Sequence, residues 1–223
     1  MQLYIAIFDV NGVLLDPEPQ KKYFLSKELE LFNKNGRKLS LTQINTAWKS
    51  AVRGMGIGPE ELLAARLRFL EKLGMPKSII PELEALDKES FKHYTPMEPA
   101  EHEVLRKIKK LGVYIAALTD TIHTASDKKL MMEAAGLSNM IDGIFVPDDV
   151  GHRKPDPEAY KAVLESFKAE PENAIFIGHE ADEIKGAKLL GITTISYKSN
   201  IKAADYAANS FNDIFHIIKE LKR

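Results

Sequence analysis

Short apolar runs alternate with stretches of helical period along most of this chain. Leu3 to Phe8, Val113 to Leu118, Gly143 to Val146, Ala174 to Ile177 and Ile192 to Ser196 each end at small or polar residues, the pattern of buried strands. Between the later runs, Glu98 to Leu111, Thr124 to Ala135, Pro157 to Phe167 and Ala181 to Leu190 place apolar residues three and four apart. Gly112, Gly136 and Gly191 stand where three of these helices would stop. Strands alternating with helices imply βαβ units and a parallel sheet covered on both faces, so the second half reads as α/β.

Residues 16–95 follow a different pattern. Lys22 to Phe32, Leu41 to Val52, Glu60 to Leu73 and Ile80 to His93 have helical period, and no strand is predicted among them. Prolines bracket the block, in Pro17 to Pro19 and in Thr95 to Pro99, and favour stiff, extended connections. The expected organisation is an α/β core from 1–15 and 96–223, interrupted by an all-helical insertion from 16–95. Trp48, Met131 and Met132 fall at helical spacing with other apolar residues and are expected in the cores.

Composition narrows the function classes. With 223 residues the chain can bury a real core, and its formal net charge of -1 gives no global field toward nucleic acid or an anionic membrane. The basic run Arg106 to Lys110 has Leu105, Ile108 and Leu111 on the opposite helical face, as on the solvated side of an amphipathic helix. No cysteine is present, which excludes disulfides, thiolate metal sites and a cysteine nucleophile. The first residues, MQLYIAIF, carry no basic leader and are too short to span a bilayer, so no membrane partner and a cytoplasmic location are expected.

In an open parallel sheet, ligands bind beyond the carboxyl ends of the strands. Four such ends carry reactive residues: Asp9, Asn11 and Gly12 after the first strand, and Thr119 and Asp120 after the second. Lys154 lies in DDVGHRKPDPEAY, and His179, Glu180, Asp182 and Glu183 lie in GHEADEIKGAK. Each taken singly has a plain structural use as a turn former, a helix cap or a complement to a helix N-terminus. Their joint occurrence in this order points to one site.

That order resembles the haloacid dehalogenase (HAD) superfamily of phosphatases, phosphomutases and dehalogenases. The motifs that match are FDVNGVLLD, LTD, GHRKPDP and GHEADEIKGAK. The resemblance implies a Rossmann-like, three-layer core with a C1-type helical cap. It makes Asp9 a nucleophile that forms an aspartyl-phosphate, Thr119 a hydrogen-bond donor to a phosphoryl oxygen, and Lys154 the cation that neutralises both. Gly12, Thr119, Asp120 and Lys154 would cradle the phosphate, and Asp9, Asn11, His179 and Glu183 would stand at the metal position. Arg53, in the glycine-rich turn RGMGIGP, is the cap residue expected to grip an anion, against its plain use as a solvent-exposed loop arginine.

Several positions depart from the family pattern, among them Asp120, where the family commonly has asparagine and where one more negative charge opposes phosphate. Asn11 stands where the phosphatases carry a second aspartate, and an amide does not exchange a proton near neutral pH, which removes a general acid-base group worth about 10²–10⁴-fold in rate. His179 stands where an aspartate supplies oxygen to Mg²⁺, and imidazole suits transition metals better. Mg²⁺, another divalent metal and no metal all stay open. The expected function is a HAD-type hydrolase, a weak or specialised phosphatase acting on a small phosphorylated metabolite. The alternative is a pseudoenzyme that keeps the cradle to bind a phosphate ligand or a protein; a metal-independent dehalogenase ranks below both.

Overall fold

The computed structural model describes residues 4–56 and 59–222. Leu3, expected to open the first strand, and Ile57 and Gly58 of the glycine-rich turn lie outside the described residues. The chain divides into two units, one running to Pro17 and resuming at Thr95, the other Glu18–Tyr94.

The first unit is built on a six-stranded parallel sheet. In chain order its strands are β1 (Tyr4–Phe8), β4 (Val113–Leu118), β5 (Gly143–Phe145), β6 (Ala174–Gly178), β7 (Thr193–Tyr197) and β8 (Tyr206–Ala208). In space they run β5-β4-β1-β6-β7-β8. The central strands are buried on both faces, which is why they read as unbroken apolar runs. Ile5, Ile7, Leu118 and Phe176 form one core with Tyr160 and Val163 of helix α8 (Pro157–Phe167) and Ile184 of α9 (Ala181–Leu189). On another part of the sheet, α5 (Glu101–Lys110) packs against α10 (Phe211–Leu221) and β4, and α6 (Ala125–Ala134) lies beside β5. Met131 and Met132 of α6 are fully buried.

Four short elements were not expected from the apolar pattern. Edge strand β8 is short and two-thirds exposed, so it has little apolar signal. The helix α7 (Pro147–Val150) has a single turn. Leu15–Asp16 (β2) and Thr95–Pro96 (β3) pair antiparallel, a two-residue ladder between segments that the sequence assigns only to stiff connections. Helix α5 begins at Glu101 rather than Glu98, because Pro99 disfavours the helical state at the residue before it; the Glu98 carboxylate accepts from the Tyr197 hydroxyl at 2.7 Å and the Phe211 N–H at 3.1 Å.

The second unit is helical throughout its described residues. Its long elements are α1 (Glu18–Lys34), α2 (Leu41–Ala51), α3 (Pro59–Leu73) and α4 (Ile80–Ser90). Helix α2 packs on α3 and α1 on α4. A capping box at Ser40 and Gln43 starts α2. Phe32, Ile44, Phe69, Leu70 and Leu83 form a separate core, with Trp48 set edge-on to Phe69 at 5.4 Å between ring centroids.

Candidate active site

Strand β1 sits between β4 and β6, so the connections from it diverge to opposite sides and leave a crevice at its carboxyl end. Asp9 is the first residue past that end. Its N–H donates to Ile177 O at 2.9 Å, which carries the β1–β6 ladder one residue further and fixes where the side chain starts. The chain then turns tightly: Leu14 and Leu15 N–H both donate to Val10 O at 2.8 Å, and Gly12 N–H donates to Leu15 O at 2.8 Å. Gly12 has φ of +84°, a backbone state that β-carbon sterics oppose in other residues.

Asp9 is 6% exposed, and its carboxylate meets two nitrogens. Lys154 Nζ donates to Oδ1 at 2.6 Å. His179 Nδ1 lies 3.2 Å from Oδ2, an ion-pair distance without the alignment of a hydrogen bond. Lys154 also pairs with Glu183 Oε1 at 2.9 Å and has its ammonium 5.7 Å from the centre of the Phe176 ring. Three elements therefore converge on one lysine, whose side chain has no exposed surface.

The lysine is held in place from below and behind. Asp120 Oδ1 accepts the Lys154 backbone N–H at 3.1 Å, so this carboxylate organises the lysine loop. Helix α9 approaches that loop at Gly186, where an added β-carbon would lie 2.4 Å from Pro155 O. Only glycine permits this approach, and the approach delivers Glu183 to Lys154. Tyr160 anchors the same helix by donating to Glu183 O at 2.8 Å. Gly186 and Tyr160 were not singled out from the sequence. The glycine in IKGAK, inside a helical pattern, was the available signal.

Charge states follow from these contacts. Burial alone would raise the Asp9 carboxyl, but the Lys154 charge and the donors around it hold it below the usual carboxylate range. Burial would lower Lys154, but Asp9 and Glu183 raise it, so it stays cationic. Glu183 is raised, first by burial and also by Asp9, against the pull of Lys154. Asp120 is raised by burial and by Asp9, with Lys154 again opposing. Two buried oxygens of the site, Asn11 Oδ1 and Glu183 Oε2, have no hydrogen-bond partner.

The structure thus brings Asp9, Lys154, His179, Glu183 and Asp120 into one connected group, with the Gly12 turn against the His179 ring. Thr119 is buried where its N–H donates to Phe145 O at 3.1 Å, at the end of the neighbouring strand. Arg53 is exposed on the turn after α2, in the helical unit. His152, which flanks the lysine loop, pairs with Asp156 at 2.9 Å at the start of α8.

A sheet with a switch point at β1 and a carboxylate there, tied to a buried lysine, is what the sequence motifs imply. The family model for haloacid dehalogenase-like hydrolases matches residues 5–191. The chain belongs to this family. Among curated relatives, pyrophosphatase PpaX of Bacillus velezensis is 27% identical over 52% of this chain and 56% of its own length. Over that match, the chain spans little more than half of the relative. Phosphatase MT3486 of Mycobacterium tuberculosis is also 27% identical, over 86% of both chains. Among solved structures, the HAD-hydrolase YfnB of Bacillus subtilis, bound to magnesium, superposes with a TM-score of 0.74 at 18% identity, covering 98% of this chain and 100% of that one. At that identity the likeness shows the shared HAD fold.

The metal position of the family can be tested on the donors present. Mg²⁺ takes a near-octahedral shell of oxygens. Here Asp9 Oδ1 and Glu183 Oε1 are both spent on Lys154, and an imidazole nitrogen faces Asp9 Oδ2. Among the described residues no three His, Cys, Asp or Glu side chains are grouped to hold a metal ion. This donor set does not fit an all-oxygen magnesium shell. Within the described residues, no helix is long and apolar enough to cross a membrane.

Proposed function

We propose that this HAD-family hydrolase is a phosphatase acting on a small phosphorylated molecule through an aspartyl-phosphate on Asp9. The observation that carries the reading is a buried carboxylate at the switch point of the sheet, kept ionised by Lys154 at 2.6 Å. An ionised, desolvated carboxylate is a nucleophile, and the adjacent cations offset its repulsion of an incoming phosphoryl group. The names of the relatives, a pyrophosphatase and a phosphatase, support the same substrate class.

Lys154 on Oδ1 and the His179 ring beside Oδ2 hold the carboxylate in place, and a carboxylate oxygen keeps a second lone pair with which to attack phosphorus. Attack forms the Asp9 O–P bond and breaks the bond from phosphorus to the leaving oxygen, which takes a proton from water. Water then attacks the phosphoryl group, the Asp9 O–P bond breaks, and phosphate departs with the carboxylate restored. Thr119 supplies a hydroxyl donor to the phosphoryl oxygens. Asn11 can orient an oxygen by hydrogen bonding but cannot shuttle the proton, so leaving groups that need no acid help are favoured.

Hydrolysis of an aryl phosphate by the native protein and by Asp9→Asn tests this reading. Turnover by the native protein that falls by about 10³-fold or more in Asp9→Asn is expected. Asn11 favours a second reading, a phosphate-binding protein without turnover; a silent native protein that becomes active as Asn11→Asp with His179→Asp would select it.

A further inference from the structure

The carboxylate at the centre of the site meets nitrogen on both oxygens. His179 is not a loose neighbour: its ring lies against the Gly12 turn, where an added β-carbon would come within 3.0 Å of Cε1 and 3.2 Å of Nε2. Its inner nitrogen faces Asp9 Oδ2 at 3.2 Å, and its outer nitrogen lies 3.6 Å from Glu180 Oε1. The ring thus fills the side of Asp9 that Lys154 leaves open, with acidic oxygen at both of its nitrogens. A divalent ion on Oδ2 would need the space that the imidazole occupies.

We propose that the His179 ring occupies the place a divalent metal ion would take beside Asp9 Oδ2, so that the protein handles phosphate esters without metal. The inference rests on the reading of Asp9 as the phosphoryl acceptor. His179 acts as a positioning residue: its ring, seated against the Gly12 turn and facing Oδ2 at 3.2 Å, orients the carboxylate while Lys154 fixes the other oxygen. An imidazole in this place removes the demand for the oxygen shell that Mg²⁺ would make.

Three measurements on the whole protein test this. Elemental analysis of the purified native protein should find no stoichiometric divalent metal, and Mg²⁺ should leave its melting temperature unchanged. Aryl phosphate turnover should survive a chelator. His179→Asp should reverse the pattern, with melting raised by Mg²⁺ through preferential binding to the folded state and turnover dependent on the ion. His179→Gln, which keeps polar bulk but not the ring, should lose about 10²-fold in turnover with no rescue by Mg²⁺. Stoichiometric metal in the native protein, a native melting temperature raised by Mg²⁺, or turnover that a chelator abolishes and metal restores would overturn the proposal. A native protein without turnover would remove the phosphatase reading. The metal content and melting of the native protein would still decide the role of His179, even if a variant failed to fold.

Discussion

Asp9 in the α/β unit and Glu28 in the helical unit are both carboxylates buried to within a few per cent of full, and they sit at opposite charge states. Asp9 is held below the usual range despite burial, because Lys154 and His179 face it. Glu28 is pushed up to about 8 by burial, and the charge it faces is another carboxylate, Asp87. The nearby cation Arg66 is taken by Glu84 at 3.0 Å and Asp87 at 2.8 Å. Glu101 shows that the contrast does not follow the unit: it lies fully buried in the α/β unit, accepts the Met97 N–H at 2.9 Å on one oxygen while the other has no hydrogen-bond partner, and is pushed up to about 9 by burial. A buried carboxylate is reactive where cations are positioned on it and a neutral packing group where they are not.

Removing the cation should break that contrast most severely. Lys154→Met leaves Asp9 and Glu183 buried as like charges, with an expected loss of about 3–5 kcal/mol in unfolding free energy by denaturant titration. In any folded fraction, Asp9 should become a carboxyl like Glu28, and the acid limb of the pH-rate profile should move upward. An unchanged acid limb would mean that Lys154 does not set the Asp9 charge.

Glu28 sharpens the comparison from the other side. Its folded-state value near 8 lies above the ordinary 4.5, so the folded protein holds a proton that the unfolded chain has released between those values. The stability linked to that proton is fully present below pH ~4.5 and is lost as pH rises through about 8. Each unit of elevation corresponds to about 1.4 kcal/mol, so the decline amounts to a few kcal/mol. Glu28→Gln should make this slope shallower, leaving the part that Glu101 contributes, and make the protein more stable than the native form at pH 8, measured by thermal melting across the range. A smaller effect is expected at the turn. Gly12→Ala must adopt a positive φ and press on the His179 ring, at a cost of about 1–2 kcal/mol from the backbone alone.

The parts of the molecule that were legible in the sequence are those whose role leaves a repeating or punctuated pattern. Strands β1, β4 and β6 are apolar on both faces and stand out as runs, and Asp9 and Thr119 are legible because they end such runs. The edge strand β8 and the β2–β3 ladder were not, because an exposed or two-residue strand has no period to read. At the site, the residues could be named but their pairings could not. Glu183 and His179 are expected at a metal and are found on Lys154 and Asp9, since contacts between separate loops depend on how closely helix α9 approaches, which Gly186 sets.

Nucleophilic attack of Asp9 on phosphorus is tested most directly by mixing the protein with an aryl phosphate, quenching in acid during turnover, and mapping the peptides by mass. A phosphoryl group on the peptide containing Asp9, absent from Asp9→Asn, is the expected result. Continued release of phosphate with Asp9 unmodified, and with Asp9→Asn still active, would contradict it.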